Sequence, residues 1–124
     1  MTWGIDMDFD DAVAAHEVWK AKLLAYVRSP DGSLAHAAAS DDTVCDLGKW
    51  LHGDARRAYA DKKELLELQA AHALFHLEAG EVVRQVDSGQ EIPEEVLVGA
   101  NSPYAAASER VVSRILRAKD RFPG

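Results

Sequence analysis

Three of the five histidines, His16, His72 and His76, fall at positions where an apolar residue would be expected, and the single cysteine, Cys45, opens a short apolar run. Taken singly, each has an ordinary reading. A histidine on an apolar face is usually a hydrogen-bonded core residue, and a lone buried cysteine packs as a small hydrophobe. Their spacing points further. His72 and His76 are four residues apart, so on a helix their imidazoles leave one face about one turn apart and can share a metal. His16 lies about ten residues into its segment and His72 about eleven into its own. On parallel helices both rings would then stand roughly 15 Å from the same end. Cys45 reaches that level if the connection before it runs back along the bundle. Three nitrogens and a thiolate suit one tetrahedral zinc per chain, rather than magnesium or calcium, which prefer oxygen. Three imidazoles buried in one layer without a shared partner would be costly. A metal-free, mutually hydrogen-bonded histidine cluster remains the rival reading of the same spacing.

Catalysis by such a metal is disfavoured. His72-Ala73-Leu74-Phe75-His76 carries the paired histidines of a zinc-protease helix, but Ala73 stands where that motif needs its glutamate base. Four protein ligands also leave no open position for an activated water. A hemerythrin-like di-iron site would need further histidine and carboxylate ligands on core faces. His36 lies in a long connection and His52 immediately precedes Gly53, so both read as solvated.

The elements that must position these residues are helical. From about Asp6 to Arg28, Phe9, Val13, His16, Trp19 or Lys20, Leu23 and Tyr26 follow three-and-four spacing. Ser29-Pro30-Asp31-Gly32-Ser33 ends that helix, and a connection of about a dozen residues follows, long for a bundle. Asp41, Asp42 and Thr43 are N-cap candidates for a second helix carrying Cys45, Leu47, Trp50 and Leu51, interrupted or ended at Gly53. A longer helix spans roughly Asp61 to Asp87 with Gly89 just beyond it. Its buried stripe is Leu65, Leu68, His72, Phe75 with His76, Ala79, Val82 or Val83, and Val86. Pro93 to Gly99 holds a short turn of helix. Ser102-Pro103 starts a last helix whose core face is Tyr104, Ser108, Val111, Ile115, Ala118 and Phe122. With no strand alternation, the fold class is an all-α bundle.

Composition sets outer bounds. The 124 residues make one domain, 1–124 with its core at about 6–122, long enough to bury a core without staples. A hydrophobic content of 48% and a charged content of 28% are those of a folded chain. A net charge of −7 with dispersed basic residues argues against nucleic acid or anionic membrane as partner. No apolar run approaches the roughly 20 residues of a membrane span, and Asp6, Asp8, Asp10 and Asp11 interrupt any signal-peptide pattern. With a lone cysteine, these features lead to a cytoplasmic expectation.

The runs His16-Glu17-Val18-Trp19, Cys45-Asp46-Leu47-Gly48-Lys49-Trp50-Leu51 and His72-Ala73-Leu74-Phe75-His76 together resemble the chemoreceptor zinc-binding (CZB) domain family of bacterial sensory proteins. The Cys-x-Leu-Gly-Lys-Trp run is the specific part, and the resemblance extends from about Phe9 to Arg117. It implies a four-helix bundle with a short accessory helix, often a homodimer, binding zinc through His16, Cys45, His72 and His76. It also implies a cytoplasmic signalling partner of the chemoreceptor or diguanylate cyclase type. Zinc level, or oxidation of the zinc-bound cysteine by an oxidant such as hypochlorous acid, would be coupled to that output. No output domain follows before Gly124, so the expectation is a free-standing member acting through a partner or an excised piece of a longer protein, the former being favoured. The second helix contributes only Cys45 to the site and is the element expected to move. The alternative is a permanent zinc staple in a dimerisation or scaffold module.

Overall fold

The computed structural model describes residues 8–43, 45–59 and 63–121, with only the backbone of His36, Asp54, Ala58 and Tyr59. Among these residues the protein is entirely helical. The first helix, α1 (Phe9–Arg28), starts three residues later than the sequence pattern indicates, because Asp8 and Asp11 form a reciprocal capping box. Asp11 N–H donates to Asp8 Oδ1 at 2.7 Å, and Asp8 N–H to Asp11 Oδ2 at 3.3 Å. The helix buries Phe9, Ala12, His16, Leu23 and Tyr26, while Val13 and Trp19 are half-buried against the same core.

The long connection after α1 has structure of its own. Gly32, at φ +78°, makes the turn, and a short helix α2 (His36–Ser40) then lies across α5 (Lys63–Asp87). Gly80 permits this approach, since a Cβ there would stand 2.0 Å from Ser40 Oγ and 3.2 Å from Ser40 Cα. Two more short helices, α3 (Asp46–His52) and α4 (Asp54–Tyr59), meet at Gly53. The cap of α3 differs from the expected one. The Asp41 carboxylate instead closes a local turn on Thr43 N–H at 2.9 Å, and Cys45 is itself the N-cap, its Sγ accepting from Gly48 N–H at 3.3 Å.

The buried stripe of α5 follows the expected register through Leu65, Leu68, His72, Phe75, His76, Ala79, Val82 and Val83, with Val86 half-buried. Gly89, at φ +90°, turns the chain beyond it. After α6 (Glu95–Val98), Ser102 Oγ accepts from Ala105 N–H at 3.0 Å and opens α7 (Pro103–Arg121). That helix buries Tyr104, Ala107, Ser108, Val111, Ile115 and Ala118. The expected helix start at Asp61 and core position Phe122 lie outside the described residues.

Ion pairs record how the long helices run. Glu67 meets Arg114 at 3.1 Å, Glu64 meets Arg121 at 3.6 Å and Asp10 meets Lys119 at 2.7 Å. The N-terminal ends of α1 and α5 therefore lie beside the C-terminal end of α7. Tyr26 O–H donates to Asp87 at 2.6 Å, joining the C-terminal ends of α1 and α5. So α1 and α5 are parallel, and α7 is antiparallel to both. Beside these three long helices stand short ones, α2 to α4, and they deliver the remaining chemistry to α5. No helix among the described residues is long and apolar enough to cross a membrane.

Candidate metal centre

The parallel placement of α1 and α5 brings His16, eighth in its helix, near the level of His72, tenth in its own. The two α5 histidines point the same way, and the start of α3 brings Cys45 to them. Cys45 Sγ lies 3.3 Å from His72 Nε2 and 3.4 Å from His76 Nε2, and the two nitrogens are 3.1 Å apart. Among the described residues, this is the group of His, Cys, Asp and Glu side chains close enough to hold a metal. His72 and His76 are buried, and Cys45 is half-buried.

A tetrahedral zinc with bonds of about 2.3 Å to sulfur and about 2.05 Å to nitrogen separates its ligands by about 3.6 Å (S to N) and about 3.3 Å (N to N). The three observed edges fall about 0.2–0.3 Å short of these values, which corresponds to metal–ligand bonds shorter by less than about 0.2 Å, within the usual tolerance of a metal site. Proton counting supports the same reading. His76 Nδ1–H donates to the Ala39 carbonyl at 2.9 Å, so in the neutral ring Nε2 is a bare lone pair. His72 Nδ1 is buried without a hydrogen-bond partner among the described residues. If the proton of His72 sits on Nδ1, two lone pairs face each other at 3.1 Å; if it sits on Nε2, a bare acceptor is left buried. A cation shared by the three converging atoms removes the conflict between lone pairs. The donor set fits zinc.

Burial controls the ionisation of these groups. It pushes His72 down to about 3, with His76 and His16 adding repulsion, and it lowers His76 as well. The rings are therefore neutral at ordinary pH, the form in which imidazole binds a metal. Burial also raises the Cys45 thiol, against the lowering effect of N–H groups from Gly48 and Leu47.

His16 stands beside this triangle. It is buried, pushed down to about 3 by burial and then by the Lys20 and His76 charges. Its Nε2 lies 2.8 Å from Ser108 Oγ on α7, and its ring packs edge-on against Phe75 at 4.5 Å. Trp19, one turn along α1, contacts the His76 ring at 4.9 Å. The structure thus brings together three of the four expected ligands and places the fourth next to them on Ser108. His52 lies at the surface with Nε2 3.1 Å from Asp42, and the side chain of His36 is outside the described residues.

The model of the chemoreceptor zinc-binding domain family matches residues 16–83. The chain belongs to this family. It matches no curated protein and no solved structure. The matched span contains all four expected ligand positions and ends within α5, before α6 and α7. In this zinc-binding domain three supporting features had weak or no sequence signals. Ser108 was visible only as a hydroxyl on an apolar stripe. The Ala39 carbonyl is backbone, and carries no residue-type signal. Gly48 sat in the family's run, but its reason is steric: a Cβ there would stand 1.8 Å from the Asp42 carbonyl oxygen and 3.2 Å from His72 Cε1.

Proposed function

We propose that this chemoreceptor zinc-binding domain is a cytoplasmic sensor rather than an enzyme, holding one zinc per chain through His16, Cys45, His72 and His76. The observation that carries the reading is the convergence of Cys45 Sγ on His72 and His76 Nε2, with Cys45 facing a cavity of about 300 Å³. Ala15, Val18, Trp19, Leu34 and Ala38 line that cavity with Lys22 and Asp46, so a small neutral molecule can reach the sulfur.

Bound zinc would supply the positive charge that keeps Cys45 a thiolate. His72 and His76 offer neutral nitrogens from a rigid helix, and the Ala39 carbonyl fixes the His76 ring. Cys45 is the N-cap of a helix of only seven residues, too short to persist without tertiary support. Oxidation by hypochlorous acid moves two electrons from the Cys45 sulfur to chlorine, giving a sulfenic acid and chloride. The sulfur is then a poorer ligand, and α3 loses one of its ties to α5, keeping the hydrogen bond from Gln69 Nε2 to the Leu51 carbonyl at 3.0 Å. Either zinc depletion or oxidation would release the same element. A second copy of the chain, or a chemoreceptor-type or diguanylate-cyclase-type partner, would read that release. The exposed Leu66, Leu74 and Leu77 on α5 support the homodimer.

A permanent staple is the second reading, and the shortness of α3 and α4 favours it. Metal analysis of wild type beside Cys45→Ser and His72→Ala tests the site itself. One zinc per chain, weakened in both variants, is expected; full retention in both would overturn the site. Chelation followed by circular dichroism and hydrogen exchange separates the readings. The sensor keeps its helical signal while α3 loses protection, whereas the staple unfolds throughout.

A further inference from the structure

His76 shows how a ring can be held and offered at once. Its Nδ1–H is anchored on the Ala39 carbonyl, and its Nε2 faces the triangle. A ligating histidine generally donates its other ring N–H to a protein acceptor, which fixes the tautomer and the ring plane. At His16 the engaged nitrogen is the other one. Its Nε2 lies 2.8 Å from Ser108 Oγ, in a contact that joins α1 to α7. Both side chains are buried, at 2% and 3% exposure, so neither polar group can turn to water instead. Phe75 packs edge-on against the same ring at 4.5 Å and restricts its rotation.

We propose that Ser108 is a positioning residue of the metal centre: its hydroxyl oxygen takes the Nε2–H of His16, leaving Nδ1 as the nitrogen that His16 offers to zinc. This rests on the assignment of His16 as fourth ligand. A neutral ring has one N–H, so the opposite arrangement, with Ser108 O–H donating to Nε2, would put the proton on Nδ1 and leave His16 no lone pair for a metal. The same contact gives α7 its link to the site. Any change in how His16 is held is felt by the last helix, whose other buried residues on the same stripe, Tyr104, Val111, Ile115 and Ala118, are core.

The test uses the full chain, labelled with nitrogen-15 and loaded with cadmium-113. Long-range proton–nitrogen spectra should show cadmium coupling at His16 Nδ1 with a protonated Nε2, and coupling at Nε2 for His72 and His76. Ser108→Ala should weaken zinc affinity by about 10- to 100-fold, and Ser108→Thr, which keeps the hydroxyl, should restore it. Coupling at His16 Nε2, or no coupling at His16, overturns the inference while leaving the triangle intact. Wild-type affinity in Ser108→Ala overturns it as well. Absence of cadmium coupling at all three histidines overturns the metal-site reading on which it stands.

Discussion

Gly48→Ala should damage zinc binding although residue 48 supplies no ligand. The added Cβ would sit 1.8 Å from the Asp42 carbonyl oxygen and 2.8 Å from its carbon. The comfortable separation of a carbon from such an oxygen is about 3.3 Å. The backbone at 42 and the helix α3 must therefore part by roughly 1.5 Å, and no rotamer change can relieve a clash between main-chain atoms. Cys45 lies in the chain between these two points, so its sulfur moves with them. Metal–ligand distances tolerate only about 0.2 Å, and a misplaced support typically costs about 10- to 100-fold in affinity. The overpacking itself should cost about 1–3 kcal/mol of stability. Gly32→Ala is the matched control. Gly32 sits at φ +78° with nothing within 4 Å, so alanine there costs about 1–2 kcal/mol through its backbone alone. Competition with a chromophoric chelator, alongside urea denaturation of both variants, separates the effects. Wild-type zinc affinity in Gly48→Ala, or an equal loss in Gly32→Ala, would refute the steric argument.

Other perturbations have comparably definite outcomes. In metal-free protein, His16 and His72 are pushed from 6.5 to about 3, so the unfolded chain binds protons first and stability is lost as pH falls from about 6.5 towards 3. Each contributes about 1.4 kcal/mol per pH unit in that window, so the unfolding free energy measured by urea denaturation should fall by about 4 kcal/mol in all between pH 7 and pH 5; a flat profile would contradict neutral buried rings. Gly80→Ala should push α2 off α5, because its Cβ would meet Ser40 Oγ at 2.0 Å, and the His76 Nδ1 proton should then lose its protection in imidazole NMR spectra. Ser102→Ala removes the hydroxyl that caps α7 and should cost about 1 kcal/mol in urea denaturation without altering zinc affinity.

The long helices were legible because each buries one continuous stripe, and three-and-four spacing on α1, α5 and α7 records which residues face inward. His72 and His76 followed directly, being one turn apart on the best-defined stripe. The level of His16 was legible too, since parallel helices with similar offsets leave little freedom in height. The segment between α1 and α5 was less so. A five-residue helix such as α2 has too few positions to show a period, and its place depends on the small size of Gly80, far away in the chain. The cap of α3 was assigned to Asp41, Asp42 or Thr43 because carboxylates and hydroxyls are the usual caps. A thiol fills that role in the structure, its sulfur standing beside His72 and His76 as well as the Gly48 N–H. The contact of His16 with Ser108 spans 92 residues, and no local pattern encodes it.

Cys45 Sγ both accepts the Gly48 N–H and belongs to the triangle with His72 and His76. One atom therefore enters two equilibria: winding of a seven-residue helix and occupancy of the site. Serine and alanine at position 45, often treated as interchangeable knockouts, are for this reason different experiments. Serine deletes the soft ligand but can still start the helix, whereas alanine deletes both functions. The difference between the two variants measures how much of the domain's response travels through helix initiation rather than through the metal bond.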